Sequence, residues 1–131
     1  MFKRTRALVV ISALSISLLG ALPAFAATKS GPIDPAGSYI QHSPTAFDLC
    51  AMTVTDGGGG PTSGAWSDAC GHSGIWVLAG RSIAFGCTPA SSCGEVVVMT
   101  GTLGKKGIGT AKKPGAIADH LSRAAWWAVK V

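Results

Sequence analysis

Acidic side chains are scarce in this 131-residue sequence: Asp34, Asp48, Asp56, Asp68, Glu95 and Asp119 are set against eleven lysines and arginines. Five of the six are aspartates near turns or a helix start, where hydrogen bonds to the local backbone account for them. A glycosidase-type carboxylate pair, such as Asp48 with Glu95, therefore has nothing to select it. Metal clamps are missing as well. No C-x-x-C or H-x-x-x-H spacing occurs, and Cys70, His72 and a distant cysteine match no zinc pattern. The nucleophile elbow G-x-S-x-G is absent, because "GHSG" at 71–74 is followed by Ile75. These absences predict no metal, no cofactor and no enzymatic activity.

Long apolar runs are also missing, with one exception at the start. "MFKRTRALVVISALSISLLGALPAFA" has Lys3, Arg4 and Arg6, an apolar stretch from Ala7 to Leu22, and small residues that place cleavage after Ala26. That is the three-part pattern of a secretory signal peptide over residues 1–26. There is no twin arginine, and no cysteine near the cleavage point could take a lipid. The predicted product is exported and soluble, extracellular or periplasmic, with 131 − 26 = 105 residues. Three basic residues leave with the leader, so the formal charge falls from +5 to 8 − 6 = +2. That is too little to argue for nucleic acid.

Residues 27–36, with two prolines and Gly31, read as an extended lead-in, and 37–131 as one small domain. A core this small benefits from covalent staples. Cys50, Cys70, Cys87 and Cys93 all lie in the mature part, and an even count in an exported chain reads as two disulfides. Four cysteines allow three connectivities; pairing Cys87 with Cys93 and Cys50 with Cys70 closes the most local loops. On the chain-entropy account these contribute roughly 2 and 3 kcal/mol. An oxidised Cys70 also leaves no thiolate for a Cys70/His72 nucleophile pair.

Short apolar or alternating runs separated by Gly, Pro and Asp predict an all-β fold. They cover 38–41, 46–55, 65–67, 75–78, 82–87, 95–103, 108–111 and 125–130. "DGGGGP", "AGR", "GKKG" and "KKPG" supply the turns. About eight strands in an antiparallel meander make a small barrel. The two-faced apolarity of 46–55 and "EVVVM" keeps a two-sheet sandwich as the alternative, or else a bulge near Leu49 and Cys50. One short helix is predicted over 116–125, before the last strand, from Ile117 with Leu121 and Asp119 with Arg123 at i, i+4.

The aromatic residues are the best lead to a binding surface. Tyr39, Trp66, Trp76, Trp126 and Trp127 are the candidate apolar contacts, and Trp126 and Trp127, adjacent on a strand, must face opposite sides. Lys105, Lys106, Lys112 and Lys113 flank a hairpin, "KKGIGTAKK". They read either as charges that keep an edge from pairing or as a patch for an anionic envelope surface.

The run "GAWSDACGHSGIWVLAGRSIAF" resembles small secreted calycin or lipocalin-like barrels, through G-x-W at Gly64, Ala65, Trp66 and again at Gly74, Ile75, Trp76. Lipocalins carry that motif on the first strand, where this chain has Gly37, Ser38 and Tyr39. The resemblance implies a barrel shape more than a function, and not a deep lipid cavity; the leading expectation, carried by the five aromatic candidates, is a non-enzymatic barrel that binds an extracellular small apolar ligand or a protein. Two alternatives stand beside it: an inhibitor of an extracellular enzyme presenting the loop "CTPASSC", and a cationic protein acting at a membrane or cell envelope.

Overall fold

A computed structural model describes residues 33–58, 60–118 and 123–131. The expected signal peptide and residues 27–32 of the lead-in lie outside the described residues; 33–36 run without regular structure into the first strand. The strands are β1 (Gly37–His42), β2 (Ala51–Gly57), β3 (Gly60–Asp68), β4 (Ser73–Ala79), β5 (Ser82–Cys87), β6 (Val98–Gly104), β7 (Gly107–Ile108), β8 (Gly115–Ala118) and β9 (Arg123–Lys130). One 3-10 turn spans Ala90–Cys93.

Strands β1 to β6 pair in sequence, all antiparallel; β6 then pairs with β8, β8 with β9, and β9 with β1. The ring closes as an eight-stranded barrel, which resolves the barrel-or-sandwich alternative. Among the described residues, every strand of the ring is paired on both sides, which is how a closed barrel removes sheet edges. The extra strand, β7, pairs with β6 at one side and β9 at the other, so β7 and β8 fill one position in the wall as two pieces. Between Ile108, opposite Leu103, and Ala116, opposite Thr100, the chain leaves the wall in an excursion over 109–114. Of the run expected as strand at 108–111, only Ile108 belongs to a strand, and Gly109 keeps one backbone bond to β6.

Two further expectations are corrected. The helix over 116–125 is replaced by strands: Ala116, Ile117 and Ala118 pair with Ala125, Ala124 and Arg123, and residues 119–122 lie outside the described residues. A lone ten-residue helix is marginal in water. As strand, β8 instead joins β6 to β9 and sends Ile117 into the core, where it is 1% exposed. The strand expected over 46–55 begins only at Ala51, because the chain turns at 45–48 and Leu49 adopts a left-handed φ of 58°. That turn lets Phe47 reach the core while Leu49 stays outside. "EVVVM" needs no second layer either: Val97 and Met99 point in, whereas Val96 and Val98 remain exposed.

An eight-stranded barrel has an interior just wide enough to be filled by side chains or to hold one small ligand. Here three indoles, Tyr39 and Phe85 fill it, with Trp66, Trp76 and Trp126 all at 2% exposure or less. Phe85 meets Trp66 and Trp126 edge-on, at centroid distances of 6.1 and 5.7 Å, the arrangement that ring quadrupoles favour. Each buried indole N–H has an acceptor: Trp66 donates to the Gly86 carbonyl (3.1 Å), Trp76 to that of Thr55 (2.9 Å) and Trp126 to Gln41 Oε1 (3.2 Å).

The two G-x-W motifs explain one another. On β3 and β4, Gly64 lies opposite Trp76 and Trp66 opposite Gly74. Each glycine thus faces the tryptophan of the other motif across the ladder. A Cβ at Gly64 would stand 2.7 Å from the Trp76 indole nitrogen and 2.0 Å from the Thr55 carbonyl; one at Gly74 would stand 1.7 Å from the Gly86 carbonyl. At Gly64 the missing side chain leaves room for the Trp76 indole; at Gly74 it lets the Gly86 carbonyl, the acceptor of the Trp66 indole N–H, approach the backbone.

Candidate functional site

Both disulfides form with the local connectivity, Cys50 to Cys70 and Cys87 to Cys93, with Cα atoms 5.7 and 6.1 Å apart. No described cysteine is free. Cys50, Asp68 and Cys70 lie close enough to share a metal ion, but their sulfurs are bonded to each other and supply no thiolate ligand. Two disulfides fit an oxidising, extracellular compartment.

Asp68, which the sequence suggests only as a bend-shaping residue, is the centre of a buried polar chain. Its side chain is fully buried. Oδ1 accepts from the backbone N–H groups of Cys70 and His72 (3.0 and 2.9 Å), and Oδ2 takes Gln41 Nε2 (2.9 Å) and His72 Nδ1 (2.8 Å). Gln41 in turn receives the Trp126 indole N–H, and Phe47 stacks on His72 at 4.2 Å. An ionised carboxylate only accepts, so Nδ1 of His72 donates. Among the described residues no hydroxyl or thiol hydrogen-bonds to His72. The chain therefore ties the disulfide-bonded bend to the barrel core. No buried side-chain N or O among the described residues lacks a partner.

A further polar contact sits at Tyr39, whose hydroxyl donates to the Pro35 carbonyl (2.5 Å) under the Lys130 ammonium, 5.7 Å from the ring centroid. Burial, and then the charge of Asp34, push the phenol up to about 12.

Of the five aromatic candidates, Tyr39, Trp66, Trp76 and Trp126 are core. Trp127 alone faces outward and stays partly exposed. It pairs across the ladder with His42 of β1, and their rings stack 5.3 Å apart at 12°. Beside it the excursion over 109–114 forms one wall of a recess of about 740 Å³, within the roughly 300–1,000 Å³ of small-ligand sites. Trp127, Val129, Arg81, Lys105, Lys106 and Lys113 line it, and among the described residues no carboxylate does. Lys112 is exposed but does not line the recess.

Local hydrogen bonds hold this wall. Gly109, at φ 58°, donates to the Thr102 carbonyl; Thr110 N–H donates to the Lys113 carbonyl, and Lys113 N–H to Thr110 Oγ1. Arg81 is pinned by Nε to the Leu103 carbonyl (3.0 Å). Sequence reasoning missed Arg81, because it sits in the β4–β5 turn, far along the chain from the lysines.

The chain matches no protein-family model, no curated protein and no solved structure.

Proposed function

We propose that this chain is a secreted, non-enzymatic binding domain that holds an extracellular, negatively charged partner in the outer recess beside Trp127. The observation that carries this reading is the composition of the recess: four cationic side chains around one accessible tryptophan, with no carboxylate among the described residues. The filled interior supports it from the other side, since the apolar volume of the barrel is already taken up by its own rings. Of the seven basic side chains among the described residues, four line this one recess, whereas the net charge of the whole chain after position 26 is only 8 − 6 = +2. Clustering of charge, more than its total, focuses a field on a partner.

The test compares two pairs of substitutions with the same change in charge. Lys105→Gln with Lys113→Gln removes two cations from the recess; Lys112→Gln with Arg123→Gln removes two that do not line it. On a carboxylate-bearing matrix the recess pair is expected to elute at clearly lower salt than the other pair. Equal elution of both would mean that only net charge acts, and would end the reading. The inhibitor alternative has a narrower basis. Thr88 to Ser91 are exposed inside the Cys87–Cys93 loop, and Ser92 Oγ donates to the Ser73 carbonyl. Residues 90–93 form a 3-10 turn, not the extended strand that adds to a partner's sheet.

A further inference from the structure

We infer that the recess takes an acidic saccharide, a sugar chain whose rings carry carboxylate or phosphate groups; the inference deepens the reading of the recess as the binding site and rests on it. Trp127 is the platform for one sugar ring, and Arg81 with Lys105, Lys106 and Lys113 meets the acid groups around it.

The aromatic part selects the ring. A pyranose presents a face of C–H groups, slightly positive, that complements the negative face of an indole. Trp127 offers one such platform, because His42 stacks on it. The histidine also braces the indole, so little ordering remains to be done on binding.

The charged part selects the acid. Arg81 spends Nε on the Leu103 carbonyl, which fixes the plane of the guanidinium and leaves its terminal N–H groups. Those form the planar fork that matches carboxylate or phosphate oxygens. Lys105, Lys106 and Lys113 stand on two turns of the same rim, and each adds a mobile donor for the acid groups of neighbouring rings. Gly109 and the reciprocal Thr110–Lys113 bonds hold the excursion that carries Lys113.

A single platform also argues against single-stranded nucleic acid, which is held by successive bases stacking on several aromatics. Among the described residues, Trp127 is the one aromatic in the lining.

The experiment uses the chain from residue 27 onward and four probes: an oligogalacturonate, a neutral cello-oligosaccharide of equal length, inorganic polyphosphate, and phosphatidylglycerol vesicles. Calorimetry gives affinity, and acrylamide quenching of tryptophan fluorescence reports shielding of Trp127, since the other three indoles are buried. The expected result is that oligogalacturonate binds, shields Trp127 and weakens with added salt, while the neutral sugar binds at least about tenfold less well. Trp127→Ala and the Lys105→Gln, Lys113→Gln pair should each weaken binding about tenfold; Trp127→Phe, which keeps a ring, should restore most of it. Polyphosphate binding as tightly as the sugar, with no effect of Trp127→Ala, would overturn the saccharide and leave an anion site. Preference for the vesicles would overturn it in favour of a lipid surface. If no anionic probe binds or shields Trp127, both the saccharide and the binding recess are wrong.

Discussion

Trp126 and Trp127 are neighbours on β9, yet they belong to different parts of the protein. Trp126 is sealed at 0% exposure, with Phe85 against its ring and Gln41 on its indole nitrogen. Trp127 faces outward over a cationic recess, with His42 stacked on it. The same side chain thus does two jobs on the two faces of one strand. Inside, an indole is bulk that fills a closed barrel and must satisfy one N–H. Outside, it is accessible surface whose use depends on the charges around it. The difference shows that aromatic content in a small barrel divides by strand parity before it says anything about binding.

Breaking the inner side should cost the most. Trp126→Ala is expected to lose about 3–5 kcal/mol, because it empties a large volume and orphans Gln41 Oε1; urea unfolding of the purified variant measures it. Gly74→Ala forces a Cβ against the Gly86 carbonyl, and about 3 kcal/mol of destabilisation, the upper part of the overpacking range, is expected in the same assay. Replacing both Cys50 and Cys70 by Ala removes the staple at the end of the Asp68 chain, with an expected loss of about 3 kcal/mol and a lower thermal midpoint.

Smaller effects sharpen the contrast. Tyr39 is the chain's one tyrosine, so tyrosinate absorbance reports it alone. Its folded pKa lies above the unfolded value of 10.0, at about 12. The neutral phenol therefore contributes stability that is fully present below pH 10 and is lost as pH rises through about 12. Denaturant unfolding from pH 9 upward should show that fall, and Tyr39→Phe should remove its share. Trp127→Ala, the outer partner of the comparison, should change stability by no more than about 0.5 kcal/mol. A loss comparable to that of Trp126→Ala would make Trp127 a packing residue and remove the reason to treat the recess as a site.

Several of these features were legible in the residues. Alternating runs and glycine-rich turns marked the strands at 38–41 and 82–87 almost to the residue, and the opposite facing of Trp126 and Trp127 follows from the period of two. The local disulfide pairing followed from loop length. The segment at 116–118 was not legible, because Ala-Ile-Ala has no strong preference and its state depends on whether two neighbours offer free ladder positions. Leu49 was visible as a break in parity, although its turn was not. The recess was read only in part: the lysines stood out as a cluster, whereas Arg81 reaches them only through the pairing of β5 with β6.

What the sequence determined by itself is local. Backbone alternation, turn sites, nearby cysteines and small residues beside large ones are set by neighbours a few positions away, whose sterics need no folded context. Tertiary structure decided the rest. Closure of β9 onto β1 sealed four of the five aromatic candidates inside. The split wall at β7 and β8 pushed 109–114 outward and gathered Arg81, Lys105, Lys106 and Lys113 around Trp127. Both outcomes depend on which distant strands meet, and one strand's pattern is compatible with many partners until the whole ring closes.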